Sequence, residues 1–128
     1  MYSILCVDDE PIIRELISLF LPKFGEFSID LEDPDTGLIM HQEKKYDAII
    51  SDFDMPGSNG ITFLINLRST GDKTPFILFT GKSREEIAVE ALNWGADHYL
   101  HKGGGSDQFR ELAHVTIHAI QRHQSIEE

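Results

Sequence analysis

The chain predicts an α/β domain, a parallel sheet of five strands with helices on both faces. Short apolar runs alternate with helix-period segments five times over, which implies parallel strands joined by right-handed crossovers. Three of the runs, Ser3 to Val7, Ala48 to Ser51 and Phe76 to Phe79, are apolar on both faces. Strands sandwiched between two helical layers read that way. The 128 residues suit one domain with a substantial core and are too few for two.

The remaining strands alternate instead. Phe27, Ile29 and Leu31 stand against Ser28 and Asp30, and Tyr99 and His101 against His98 and Leu100, so the second and fifth strands belong at the edges. Pro11 suits a first helical position, and Ile12, Ile13, Leu16, Ile17, Phe20 and Phe24 recur at helical spacing until Pro22 ends or kinks the helix. Asp33-Pro34 opens a second helix running toward Lys45, and Asn59-Gly60 precedes a third that buries Ile61, Leu64 and Leu67. Ser83 and Glu86 form a capping box for a fourth, with Ile87, Ala88, Ala91 and Leu92 inward and Gly95 at its left-handed stop. A last helix from about Ser106 to His123 buries Phe109, Leu112, Ala113, Thr116 and Ile120. The expected domain is 1–123, with 124–128 a tail or the start of a linker.

Composition narrows the class. Eleven basic against 22 acidic side chains leave a formal charge of -11, which argues against a surface that coats nucleic acid or anionic lipid. The single cysteine, Cys6, excludes an internal disulfide and a zinc–thiolate site and reads as a small buried residue. No apolar stretch approaches membrane-spanning length, and Met1 leads almost directly into a strand-like run rather than a signal peptide. A soluble, cytoplasmic protein is expected.

The strand ends carry the chemistry. Ligands of open parallel sheets bind outside the carboxyl ends of the strands. Here the first strand ends in Asp8-Asp9, the third in Asp52 and the fourth in Thr80, and the fifth leads to Lys102. Three carboxylates brought together repel unless they share a cation, and a hard, oxygen-seeking ion such as Mg2+ fits. A lysine and a hydroxyl facing the same point suit a phosphoryl group. Each residue alone has an ordinary structural explanation, but packing needs do not easily produce all of them at one edge.

The chain resembles a response-regulator receiver domain, the phosphorylatable part of two-component signalling, over nearly its whole length. The resemblance rests on V-D-D-E-P at Val7 to Pro11, S-D-F-D-M-P-G at Ser51 to Gly57, F-T-G-K at Phe79 to Lys82 and G-A-D-H-Y-L-H-K at Gly95 to Lys102. It implies a flavodoxin-like three-layer sandwich with strand order 2-1-3-4-5. It implies that Asp52 accepts a phosphoryl group from a phosphohistidine of a sensor histidine kinase or histidine phosphotransfer protein. Asp9 would ligate Mg2+ (or Mn2+), with Asp8 holding a metal-bound water or also coordinating. Asp52 itself and the backbone carbonyl of Asp54 complete the metal set. Lys102 would pair with a phosphoryl oxygen, Thr80 would move to meet another, and Tyr99 would turn inward as the switch. Such a domain catalyses its own phosphorylation and dephosphorylation without being a conventional enzyme. The face of helix 4, strand 5 and helix 5 would serve output or a homodimer, and Trp94 would report switching optically.

Two positions depart from that pattern. Gly103 follows Lys102 where the family usually has proline, so a different loop with the chemistry intact is expected. Asp54 and Lys82 are expected to pair across the pocket mouth and tune water access to the acyl phosphate. His114 and His118, four apart on the last helix, lack a neighbouring third metal ligand and read as a solvated face. Two other functions share some of these features. Asp52-Phe53-Asp54 resembles the D-x-D pair of haloacid-dehalogenase-like phosphatases, but Pro56 replaces the expected threonine or valine and the motif follows the third strand rather than the first. A phosphorylation-independent interaction module is disfavoured by the intact set Asp8, Asp9, Asp52, Thr80 and Lys102.

Overall fold

Alternate residues of each inner strand point to opposite sides of one sheet, and that sorts the apolar side chains into two cores. Ile4, Cys6, Ile50, Ile77 and Phe79 pack beneath the first and last helices, and Leu5, Val7, Ile49, Phe76 and Leu78 beneath the third and fourth. The computed structural model describes residues 1–32, 34–55, 58–81, 85–103, 105 and 107–127. The order is β1 (Tyr2–Val7), α1 (Pro11–Phe20), a 3-10 turn (Leu21–Phe24), β2 (Phe27–Glu32), α2 (Pro34–Lys44), β3 (Ala48–Ser51), α3 (Gly60–Ser69), β4 (Phe76–Thr80), α4 (Glu85–Asn93), β5 (His98–His101) and α5 (Asp107–Glu127). The five strands are parallel in the order β2-β1-β3-β4-β5. The two alternating strands therefore lie at the edges, as their patterns predict.

Helix boundaries follow local chemistry. Pro11 opens α1, and α1 tightens into the 3-10 turn where Pro22 has no N–H to continue the α pattern. Asn59 caps α3 by accepting the Thr62 N–H at 2.8 Å. Gly95 closes the turn after α4 with φ +102°. Ser83 of the expected capping box and Asp33 lie outside the described residues.

The buried stripe of α5 is the expected one: Phe109, Leu112, Ala113, Thr116 and Ile120 are all buried. Two expected core residues are exposed. Ile12 is 63% exposed and Leu92 50%. Ile12 stands five residues from the buried Ile17, about 140° round α1, and Leu92 stands five from Ile87 and one from Ala91, about 140° and 100° round α4 from its two buried residues. Helix α5 also runs on past His123 to Glu127. None of the described helices is long and apolar enough to cross a membrane.

Candidate functional site

The sheet delivers its polar residues to one edge by running two ladders a step beyond the strands. The Asp52 N–H donates to the Val7 carbonyl at 2.9 Å, and the Lys102 N–H to the Thr80 carbonyl at 2.8 Å. Main-chain pairing thereby fixes Asp52 and Lys102, and Asp8 follows directly from the buried end of β1. Asp8, Asp52 and Lys102 are only 2%, 4% and 8% exposed, which is rare for charged groups without partners, and Thr80 beside them is 1% exposed. Gly60 contributes through its missing side chain. A Cβ there would collide with the Asp52 main-chain carbonyl, so glycine lets the start of α3 close on the pocket floor. The Gly60 N–H donates to the Phe53 carbonyl at 2.8 Å.

One ammonium serves three carboxylates. Lys102 Nζ lies 2.7 Å from Asp8 Oδ2, 3.4 Å from Asp52 Oδ1 and 3.9 Å from Glu10 Oε1. The Phe79 ring centre lies 5.8 Å from the same nitrogen. Asp8 Oδ1 accepts the Glu10 N–H at 2.9 Å, and Asp52 Oδ1 accepts the Phe53 N–H at 2.8 Å. Burial lifts the Asp8 carboxyl above its ordinary pKa, against the opposing pull of Lys102 and the Glu10 N–H. Burial alone would depress the Lys102 ammonium. The Asp8 hydrogen bond and the charges of Asp8, Asp52 and Glu10 outweigh it and hold the lysine protonated to higher pH. Oxygens of Asp8, Glu10 and Asp52 lie within 4.8 Å of one another, a hard-donor set suited to a divalent cation.

Sequence reasoning and geometry differ over the acids. Asp9 is exposed and stands outside the three-carboxylate group, and Glu10, which the motif reading did not single out, takes part in it. Alternation after a strand end explains this: when Asp8 turns inward, Asp9 turns out and Glu10 returns. The Asp54 main chain lies in a two-residue antiparallel ladder, opposite Asn59. The Asp54 side chain and Lys82, and with them the expected ion pair, lie outside the described residues. Tyr99 is half-buried against the core beneath α3 and α4. The Lys102–Gly103 peptide is trans, and Gly103 has φ +106°, a value closed to proline, whose ring holds φ near about −65°.

The chain matches the response regulator receiver domain family over residues 4–114. Among curated relatives it is 35% identical to the phosphate regulon transcriptional regulatory protein PhoB of Escherichia coli, over 77% of this chain and 44% of that one. It is 32% identical to the KDP operon transcriptional regulatory protein KdpE of the same organism, over 96% of this chain and 53% of that one. It thus spans about half the length of these relatives. Among solved structures, the receiver domain of the Francisella response regulator 1452 superposes with a TM-score of 0.85 at 27% identity, covering 95% of this chain and 98% of that one. A response regulator receiver domain protein from Clostridium thermocellum does so at 0.86 and 25%, covering 98% and 99%. The D-x-D phosphatase reading gives way to these matches, and the chain belongs to the response regulator receiver domain family of two-component signalling.

Proposed function

We propose that Asp52 is the phosphoacceptor and that its donor is the phosphohistidine of a sensor histidine kinase or histidine phosphotransfer protein. The observation that carries this reading is the imbalance of three clustered carboxylates against one buried ammonium at the carboxyl edge of the sheet. An Asp52 oxygen attacks phosphorus, the P–O bond forms as the P–N bond breaks, and the imidazole, already protonated on its other ring nitrogen, leaves with the P–N electron pair as a neutral base. Hydrolysis later breaks the new P–O bond by attack of water and releases orthophosphate. Lys102 moves from its carboxylate partners toward a phosphoryl oxygen, and Thr80 supplies a hydroxyl to another.

Mg2+, or Mn2+, held by Asp8, Asp52 and the Asp54 main-chain carbonyl, would offset the negative charge that otherwise repels a phosphoryl group. Asp9 at the rim and Glu10 within the cluster compete for the remaining carboxylate place. Mg2+ titration of Asp9→Asn against Glu10→Gln identifies the ligand by the larger loss of affinity. Phosphorylation adds about two negative charges and three strong acceptors. The new partners of Thr80 and Lys102 then favour an inward Tyr99 and a changed α4–β5–α5 face, the surface proposed for output or for a homodimer.

Trp94, 47% exposed beyond the end of α4, provides the readout. Beryllofluoride with Mg2+ should change its fluorescence saturably, and Asp52→Asn should abolish the change. A wild-type chain that neither responds nor acquires an acyl phosphate from phosphoramidate would instead act as a phosphorylation-independent interaction module.

A further inference from the structure

We propose that Gln108 is a positioning residue for Lys102, its amide oxygen holding the main chain just beyond the lysine and so directing the ammonium into the cluster of Asp8 and Asp52. The inference rests on the reading of Lys102 as the group that meets the phosphoryl oxygen. On one side of the Lys102 Cα, the Lys102 N–H donates to the Thr80 carbonyl at 2.8 Å. On the other side, the Gly103 N–H donates to Gln108 Oε1 at 3.0 Å. Both peptide planes flanking that Cα are therefore tied down. With both planes held, the two soft main-chain torsions of Lys102 are held too, and with them the direction in which its Cβ leaves the chain.

The anchor is firm. Gln108 sits in the first turn of α5, next to Phe109, which is buried in the core with Leu112. The first tie comes from sheet pairing and would exist in any strand at this place. The second is a side-chain device, and it needs this glycine. Gly103 has φ +106°, and it retains an N–H to donate. A proline would lack both the torsion and the donor. The same glutamine also lines the shallow cleft between β5 and α5 together with Tyr99 and Phe79. It therefore borders both the lysine loop and the strand that carries the switch tyrosine.

The test uses the whole chain, phosphoramidate and Mg2+, with Asp52 phosphorylation followed by intact mass and by Trp94 fluorescence. Gln108→Leu removes the acceptor and should slow phosphorylation about fivefold or more, because small misplacements of reacting groups are costly. Gln108→Asn keeps the amide but is one methylene too short, and it should behave like the leucine variant. Gln108→Glu keeps an acceptor at the right reach and should stay within about twofold of wild type. Thermal midpoints should agree within about 2 °C across the set, since the bond is exposed and single. A structural role alone would move midpoint and rate together and would not separate asparagine from glutamate. An unchanged rate in Gln108→Leu, or equal rates for Asn and Glu, overturns the positioning role. A wild-type chain that is never phosphorylated overturns the phosphoacceptor reading on which the role depends.

Discussion

The two edges of the sheet bury similar polar residues and treat them in opposite ways. At the amino edge, His41 is fully buried, and its Nδ1 accepts the Tyr46 N–H at 3.1 Å. The proton is thereby placed on Nε2, which lies 2.8 Å from Asp72 Oδ2. Asp72 Oδ1 accepts the Thr74 hydroxyl at 2.5 Å and the Thr74 N–H at 2.9 Å. At the carboxyl edge, three carboxylates share one ammonium. The two aspartates consequently titrate in opposite directions. Burial tends to raise both, but Thr74 and His41 supply enough donors to bring Asp72 below its ordinary value, and Asp8 ends above it. A donor-rich network fastens α2 to the loop before β4, whereas the carboxyl edge gathers three carboxylates around one ammonium.

Breaking the functional edge should show the largest effect. Lys102→Met removes the only cation that the described residues bring to the three carboxylates, and phosphorylation from phosphoramidate should slow about 100-fold, or about 3 kcal/mol of barrier. Its midpoint should also become more dependent on Mg2+ than that of wild type. At the other edge, His41→Leu leaves the Tyr46 N–H and an Asp72 oxygen without partners. It should cost about 2–3 kcal/mol in urea denaturation while phosphorylation of the folded fraction is unaffected.

The paired substitution sharpens the contrast. Asp72→Asn weakens hydrogen bonds made to the ionised group and should cost about 1–2 kcal/mol at pH 7. That cost should shrink as pH falls below the ordinary carboxylate value toward the lower folded one, where wild type also loses the stabilisation. Asp8→Asn should be neutral or slightly stabilising without Mg2+, because a raised folded pKa means that the fold disfavours the ionised form at neutral pH. Equal destabilisation by the two substitutions, measured by urea titration, would erase the distinction between the edges.

The smallest effect concerns His98, at the amino edge of β5. Its Nε2 is buried without a hydrogen-bond partner, and burial, followed by the charge of Arg122, lowers its pKa despite the opposing charge of Asp97. The unfolded chain therefore takes up the proton first, so stability should fall as pH drops below about 6.5 and level off below the folded value. His98→Phe should flatten that part of the midpoint–pH curve by about 2 °C. His98 also lies beside the histidines that the sequence leaves isolated. Its ring centre is 6.5 Å from that of His118, which stacks on His114. A neighbour on another element cannot be found from spacing along α5.

Much of the architecture was legible because burial has a period. Strands apolar on both faces lie inside and alternating ones at the edges, and the buried stripe of α5 is the one its spacing predicts. Single helix positions were less legible. Ile12 and Leu92 fit an apolar pattern, yet which part of that pattern meets the sheet depends on how the helix is rotated against it. Gly60 reads as turn chemistry beside Asn59, and only the approach of the Asp52 carbonyl reveals its second use.

Fold class, the strand order implied by the family motifs and the edge at which Asp8, Asp52, Thr80 and Lys102 gather are all legible along the chain. Periodicity and strand ends are local properties, and local properties are written along the chain. The charge balance arises in three dimensions. Lys102 reaches Asp8 across 94 positions, and Glu10 rather than Asp9 faces them. Gln108 Oε1 meets the Gly103 N–H. Distances across space set Coulomb energies and hydrogen bonds, and no spacing along one strand or helix contains them.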